Sequence, residues 1–221
     1  MQLLGGFRMF VDGSPVELTP VAERLVAILG LQGRTSRSRL AGMLWPDTPE
    51  CRALASLRTG IWRVNQAADG LIVPTRSMLD LAQRADVDVR AYVSGAAAHM
   101  RGESASLDAA IDYEGDLLPD WDEHWLLAER ERLRQLRLHF LEQLAQRLSG
   151  AGRFGLALEA AFAALCADPL RESAHRTIIG IHLAEGNMGE ARRAYENCRR
   201  TLTEDLGVEP SPATASLVGA R

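Results

Sequence analysis

Apolar and polar residues alternate through QLLGGFRMFVDGSPVEL on either side of Asp12-Gly13. That dipeptide favours a tight turn, so the pattern predicts two short strands joined as a hairpin. The period then changes from two to three and four. In TPVAERLVAILGLQG, Val21, Leu25, Ile28 and Leu29 share one face. Thr19 is placed to cap this helix, Pro20 sits at its first position and Gly33 ends it. A second, short helix is predicted in SRSRLAGMLW, starting at Ser36 and stopped by Pro46, with Leu40, Met43 and Leu44 inward. A third follows in TPECRALASLRTGIWRVNQ, where Leu54, Leu57, Ile61 and Val64 recur at the same spacing. Asp47 is its expected cap, with Glu50 three positions on. After Gly70, LIVPTRSMLDL reads as two strands around a turn at Arg76-Ser77.

Two strands, three helices and a closing hairpin is the element order of a winged helix-turn-helix domain preceded by a small sheet. The rest of the chain is helical in pattern. Two short helices with a Gly-Glu-Ser joint are expected between Val89 and Pro119, then a long amphipathic helix over 122–148, with Trp121 and Trp125 anchoring it in the core. Beyond it, Gly152, Phe154, Gly155, Ala157 and Ala160 repeat as Gly186, Met188, Gly189, Ala191 and Ala194, each pair 34 residues apart. That is the period of tetratricopeptide repeats, whose paired helices need a small residue where they cross. In the second copy Tyr195 takes the bulky helix position and Thr203 stands where the first has Pro169, which weakens the last boundary. The expected fold is therefore mainly α with small β. A winged helix-turn-helix domain over 1–92 is followed by an all-α tetratricopeptide-like domain over 93–221.

Composition changes this picture mostly by exclusion. All 25 basic residues are arginine, which removes the lysine that a GxxxxGK[ST] phosphate loop, a Schiff-base enzyme or an SxxK hydrolase requires. The three cysteines are far apart, and buried small hydrophobes are the expected reading. The five histidines form neither HExxH nor any close metal-ligand spacing, and no GxSxG turn is present. No catalytic set, metal or cofactor is expected. No stretch is long and apolar enough to span a membrane and the start has no leader pattern, so a cytoplasmic protein is expected.

The net charge of −4 conceals a division. Residues 1–92 carry eleven arginines against nine acidic residues, and 93–221 carry fourteen against twenty. Positive charge concentrates between Arg34 and Arg63, with six arginines against Asp47 and Glu50. The outer face of the third predicted helix carries Arg52, Ser56, Thr59, Arg63 and Gln66, residue types that donate to phosphates and base edges. Arg37 and Arg39 open the second helix, where cations oppose the helix dipole unless an anion such as a DNA phosphate is bound there. Arg76 at the wing tip has the chemistry to enter a minor groove. Gly60 costs about 1 kcal/mol in a helix interior, tolerable where a strand, a base edge or another helix must come close.

These segments resemble a known family. LLGGFRMFVDGSPVEL, SRSRLAGMLWPD and SLRTGIWRVNQ are similar to the OmpR-type winged helix of the Streptomyces antibiotic regulatory proteins. GDLLPDWDEHWLLAERERLRQL and ADPLRESAHRTIIGIHLAEGNMGEARRAYENCRRTLTEDLGVEPSP resemble their bacterial transcriptional activator domain. The resemblance implies a transcription activator that binds double-stranded promoter DNA at repeats, often as side-by-side protomers, and contacts RNA polymerase. It assigns DNA contact to Arg58, Thr59 and Arg63, and polymerase contact to the loop of Trp45, Pro46, Asp47, Thr48 and Glu50. It also implies a small form without the ATPase and sensor modules of larger relatives. Relatives commonly have a bulky residue where this chain has Gly60 and an arginine where it has Asn65. Two other function classes remain open at this point, a protein-interaction scaffold with degenerate DNA binding and a regulator gated by a ligand in the repeat groove.

Overall fold

The computed structural model describes residues 1–103 and 115–219. The described residues form two compact units, one of residues 1–95 and 115–131, the other of residues 96–103 and 132–219.

The first unit opens with a hairpin of β1 (Phe10–Val11) and β2 (Ser14–Pro15), paired Phe10 to Pro15 and Val11 to Ser14. Asp12 and Gly13 both have positive φ, 50° and 80°, as a tight hairpin turn requires. Three helices follow, α1 (Pro20–Gln32), α2 (Arg37–Leu44) and α3 (Glu50–Ala67), packed on one another. Between α1 and α2 a two-residue strand, β3 (Thr35–Ser36), pairs antiparallel with β5 (Met78–Leu81), which in turn pairs with β4 (Ile72–Thr75). The sheet order is β3-β5-β4. The strand β3 was not expected, because two residues are too few to show a period. Leu25, Ile28 and Leu29 of α1, Leu40 of α2, Leu57 and Val64 of α3, Ile72 and Leu79 of the sheet, and Leu3 are all buried.

Several local expectations change in this unit. Thr19 occupies the cap position of α1 but its side chain makes no capping bond. Leu40 is buried in α2 together with Ala41, while Met43 and Leu44 are half-buried. The cap position of α3 falls to Pro49, not Asp47, which is exposed. Pro49 has a fixed φ of −52°, and its carbonyl accepts from the amides of Arg52 and Ala53, so the chain enters the helix there without a side-chain cap.

Residues 115–131 belong to the same unit because the N-terminal segment holds them. Gly5 donates its amide to the Asp116 carbonyl (2.9 Å), Leu118 donates to the Leu3 carbonyl (2.9 Å), and Leu4 bridges Leu117. Gly115, at φ 97°, lies so close to Gly5 that a Cβ there would meet its Cα at 2.8 Å. Trp121 is half-buried and stacks on Phe7 at 5.8 Å between ring centroids, and Trp125, four residues on, is half-buried too. The expected division at 92/93 falls within α4 (Asp88–Met100). The second expected short helix, after the Gly-Glu-Ser joint, lies outside the described residues.

The long helix α5 (His124–Gly150) ends in the second unit, followed there by α6 (Phe154–Ala167), α7 (Glu172–Ala184), α8 (Met188–Leu206), the single-turn α9 (Pro212–Ala215) and a 3₁₀ turn over Ser216–Val218. The 34-residue repeat is reproduced in the backbone. Gly152 and Gly186 both have positive φ, 72° and 86°. The amide following each reaches back five residues, Arg153 to the Leu148 carbonyl (2.9 Å) and Asn187 to the His182 carbonyl (2.8 Å). Each bond closes a left-handed glycine turn between two helices. Ala157, Ala160, Ala161 and Ala164 are buried against Leu141, Leu144 and Leu148 of α5 and Ile178 and Ile181 of α7, so alanines do stand where the helices approach. Tyr195 is buried with Ile179 and Ala191. With no proline to stop it, α8 continues past Thr203 to Leu206, where Gly207 ends it in a left-handed conformation.

Candidate nucleic-acid interface

On α3 the buried residues are Ala53, Leu57, Gly60 and Val64. Leu54 and Ile61, expected inward, lie half-buried at the edge of this stripe, which is shifted toward the small residues. The reason is α1. A Cβ built on Gly60 would lie 3.6 Å from Leu25 Cδ2, so the glycine faces the neighbouring helix and lets it sit close. The base edge and the strand, the other partners envisaged for Gly60, are thereby set aside.

The opposite face is exposed at every position singled out from the sequence, Arg52, Ser56, Arg58, Thr59, Arg63 and Gln66. Thr59 Oγ1 donates to the Ala55 carbonyl (3.4 Å), leaving its oxygen as an acceptor. Trp62 also lies on this face with 62% of its surface exposed, and sequence reasoning missed it. The available signal was its misfit to the spacing of Leu54, Leu57, Ile61 and Val64.

The wing is fixed to this helix by Asn65. Its Nδ2 donates to the Ile72 carbonyl (3.1 Å) and its Oδ1 accepts the Ile72 amide (2.9 Å), which aligns β4 with the end of α3. Arg84 donates to the Asp69 carbonyl, closing the loop between them. Arg76 at the tip is exposed with φ 52°, a left-handed conformation uncommon for a side chain of this size.

The start of α2 touches the same wing. The Arg37 amide donates to the Ser77 carbonyl (3.1 Å), and the Arg39 amide donates to Ser36 Oγ (3.3 Å), a side-chain cap. Two helix-start amides expected to be free for an anion are therefore already engaged. What the helix start presents is the side chains, Arg37 half-buried and Arg39 exposed. Between α2 and α3, Trp45 and Thr48 are half-buried, and Pro46, Asp47 and Glu50 are exposed; the Thr48 amide turns back to the Trp45 carbonyl (3.2 Å).

Among the described residues, Arg37, Arg39, Arg52, Arg58, Arg63 and Arg76 form no salt bridge, whereas in the helical unit Arg134 pairs with Asp168, Arg171 with Glu142, Arg193 with Glu190 and Arg199 with Glu196. Arg90, by contrast, is structural, donating to the Leu29 and Gly30 carbonyls that end α1 (2.7 Å each). Cationic side chains are thus committed to folding in one place and left exposed in another.

Other chemistry is sparse. Among the described residues no group of three or more histidine, cysteine, aspartate or glutamate side chains is placed to hold a metal. Cys51 and Cys166 are exposed, against expectation, and only Cys198 is buried, its thiol pushed up to about 11 by burial and the nearby Glu172. His99 is buried against Phe140 and its pKa is lowered by burial and by Arg147. A cavity of about 550 Å³ lies between the hairpin and the end of α3, lined by Met9, Phe10, Val26, Leu81 and Arg84 among others. In the repeat unit a groove of about 300 Å³ is lined by Glu142, Ser149, Ser173, Arg176 and Thr177. Among the described residues no helix is long and apolar enough to cross a membrane.

The model of the bacterial transcriptional activator domain matches residues 79–220. The chain is 28% identical over 230 residues to the regulatory protein AfsR of Streptomyces coelicolor, covering 97% of this chain but only 23% of AfsR. It is 26% identical over 240 residues to the transcriptional regulatory protein EmbR of Mycobacterium tuberculosis, covering 97% of this chain and 61% of EmbR. The solved structure of Mycobacterium tuberculosis EmbR in complex with a low-affinity phosphopeptide has the same fold, with a TM-score of 0.81 at 22% identity over 98% of this chain and 63% of that one. A winged helix with an exposed arginine face, joined to tetratricopeptide-like helices that match this domain, places the chain in the family of Streptomyces antibiotic regulatory protein-type regulators that carry a bacterial transcriptional activator domain.

Proposed function

We propose that this chain is a transcription activator that binds double-stranded promoter DNA through its winged helix. One observation carries the reading: six exposed or half-buried arginines on α3, the start of α2 and the wing are without a carboxylate partner among the described residues. In a protein of net charge −4 that has ion-paired many of its other arginines, such a face suits a polyanion. In this reading α3 enters the major groove. Arg58, Thr59, Arg63 and Gln66 address base edges, while Arg37, Arg39, Arg52 and Ser56 hold phosphates and Arg76 reaches the adjoining minor groove. The loop of Trp45, Pro46, Asp47, Thr48 and Glu50 is the proposed contact for RNA polymerase, and protomers bind side by side on repeated half-sites.

The test is a footprint of the protein on DNA upstream of its own gene, repeated as a salt series. Three phosphate-holding arginines from each of two side-by-side protomers make six contacts, which give a slope of about −5 in log K against log salt. A defined footprint with that slope is the expected result. Weak binding indifferent to salt would overturn the proposal in favour of a scaffold that acts through its helical unit.

A further inference from the structure

The exposed indole on α3 is not explained by the fold. With about 100° between successive helix residues, Trp62 lies roughly 200° from Gly60, nearly opposite the stripe of Ala53, Leu57, Gly60 and Val64 that packs into the core. It therefore stands at the centre of the exposed face, one turn from Arg58 and from Gln66, with Thr59 and Arg63 beside it. It is the exposed large hydrophobic residue of this helix, at 62% accessibility. Its neighbours on the face are cationic or hydrogen-bonding, and α3 has no acidic residue after Glu50.

We propose that Trp62 is a specificity-determining residue that reads a thymine through its 5-methyl group in the major groove. This rests on the DNA-binding reading above and adds to it. In the major groove the methyl of thymine is the apolar feature that sets a T·A pair apart, and it is recognised by apolar side chains rather than by donors. An indole offers a broad rigid apolar surface at little rotamer cost, so covering a methyl there removes both from water. Gln66, one helical turn on, carries the amide that pairs bidentately with adenine, the partner base of the same pair. Arg58 on the other side addresses guanine or a phosphate. Trp62 thus supplies an apolar contact to the thymine methyl that the surrounding polar residues cannot make.

The experiment replaces each thymine of the footprinted site in turn by deoxyuridine, which removes only the methyl, and measures affinity for the wild type, Trp62→Ala and Trp62→Phe. The expected result is a loss of roughly three- to tenfold at one or two thymines for the wild type, the scale of one buried methyl. Trp62→Ala then binds more weakly but is indifferent to deoxyuridine at those positions, and Trp62→Phe keeps part of the discrimination. A wild type indifferent at every thymine, or a Trp62→Ala variant as sensitive as the wild type, overturns the inference while leaving DNA binding intact. Such an outcome would point instead to a protein partner on this indole. Absence of any footprint would remove both this inference and the reading beneath it.

Discussion

Gly60 faces Leu25 at an ordinary van der Waals distance from where its Cβ would stand, and its φ is not in the left-handed range. Gly60→Ala should therefore gain helix propensity without a clash, raising stability by up to about 1 kcal/mol in urea unfolding and leaving DNA affinity unchanged. A destabilised variant would show that α1 and α3 are closer than described. Arg76 is the reverse case. Its left-handed φ of 52° costs about 1 kcal/mol that glycine would not, so Arg76→Gly should unfold at higher urea yet bind DNA more weakly. Unchanged affinity would remove Arg76 from the interface. At this scale the exposed positions 52, 56, 59, 63 and 66 were legible in the sequence because each falls outside the apolar spacing, whereas Arg58 came from the family resemblance alone. Trp62 falls outside that spacing too but was passed over, because the face was picked out by its polar residues and Trp62 is apolar; the role of Asn65 was hidden because its partner Ile72 is a backbone group seven residues away.

The elements were legible wherever a period ran for several turns. The hairpin, α1, α3, the wing and the 34-residue repeat all follow from local patterning, and the matched amide bonds of Arg153 and Asn187 show the repeat extending to backbone geometry. What local patterning does not contain is pairing between distant segments. The two-residue β3, and the return of residues 115–118 to the N-terminal segment, exist only through partners far along the chain. Two consequences are measurable. Asn65→Ala leaves the amide and carbonyl of buried Ile72 without these partners and should cost about 1–3 kcal/mol, with loss of hydrogen-exchange protection at Ile72. Gly115→Ala forces a Cβ against the Gly5 backbone at positive φ and should destabilise the same unit; a neutral outcome would contradict the close approach.

Across the whole molecule, charge is divided by use. In the helical unit, burial alone would raise the Glu142 carboxyl, but Arg171 (2.8 Å) and Ser173 (2.5 Å) outweigh it and hold its pKa below 4.5. Glu172 is likewise lowered, against burial, by the side chains of Ser211 and Thr214 and the Ser211 amide (2.9 Å). Each carboxylate binds its proton more weakly when folded than when unfolded. Its stabilisation is therefore present above pH 4.5 and lost as pH falls through the lower folded value. Acid unfolding of this unit should steepen below pH 4.5, and Glu142→Gln should flatten it; an unchanged profile would contradict the network. His99, whose pKa burial and Arg147 lower, adds an earlier loss as pH falls below 6.5. The winged unit instead leaves the arginines of α3, the start of α2 and the wing tip without carboxylate partners among the described residues, and the proposed function rests on them. The most direct measurement is the affinity of the intact protein and of an Arg58→Ala, Arg63→Ala double variant for upstream promoter DNA across a salt series. Both side chains are exposed, so the variant should fold as the wild type does, which circular dichroism checks. The variant is expected to bind at least tenfold more weakly, at about 1–3 kcal/mol for each base-reading arginine lost. Equal affinity and equal salt slope for the two proteins would contradict the assignment of α3 as the DNA-reading helix.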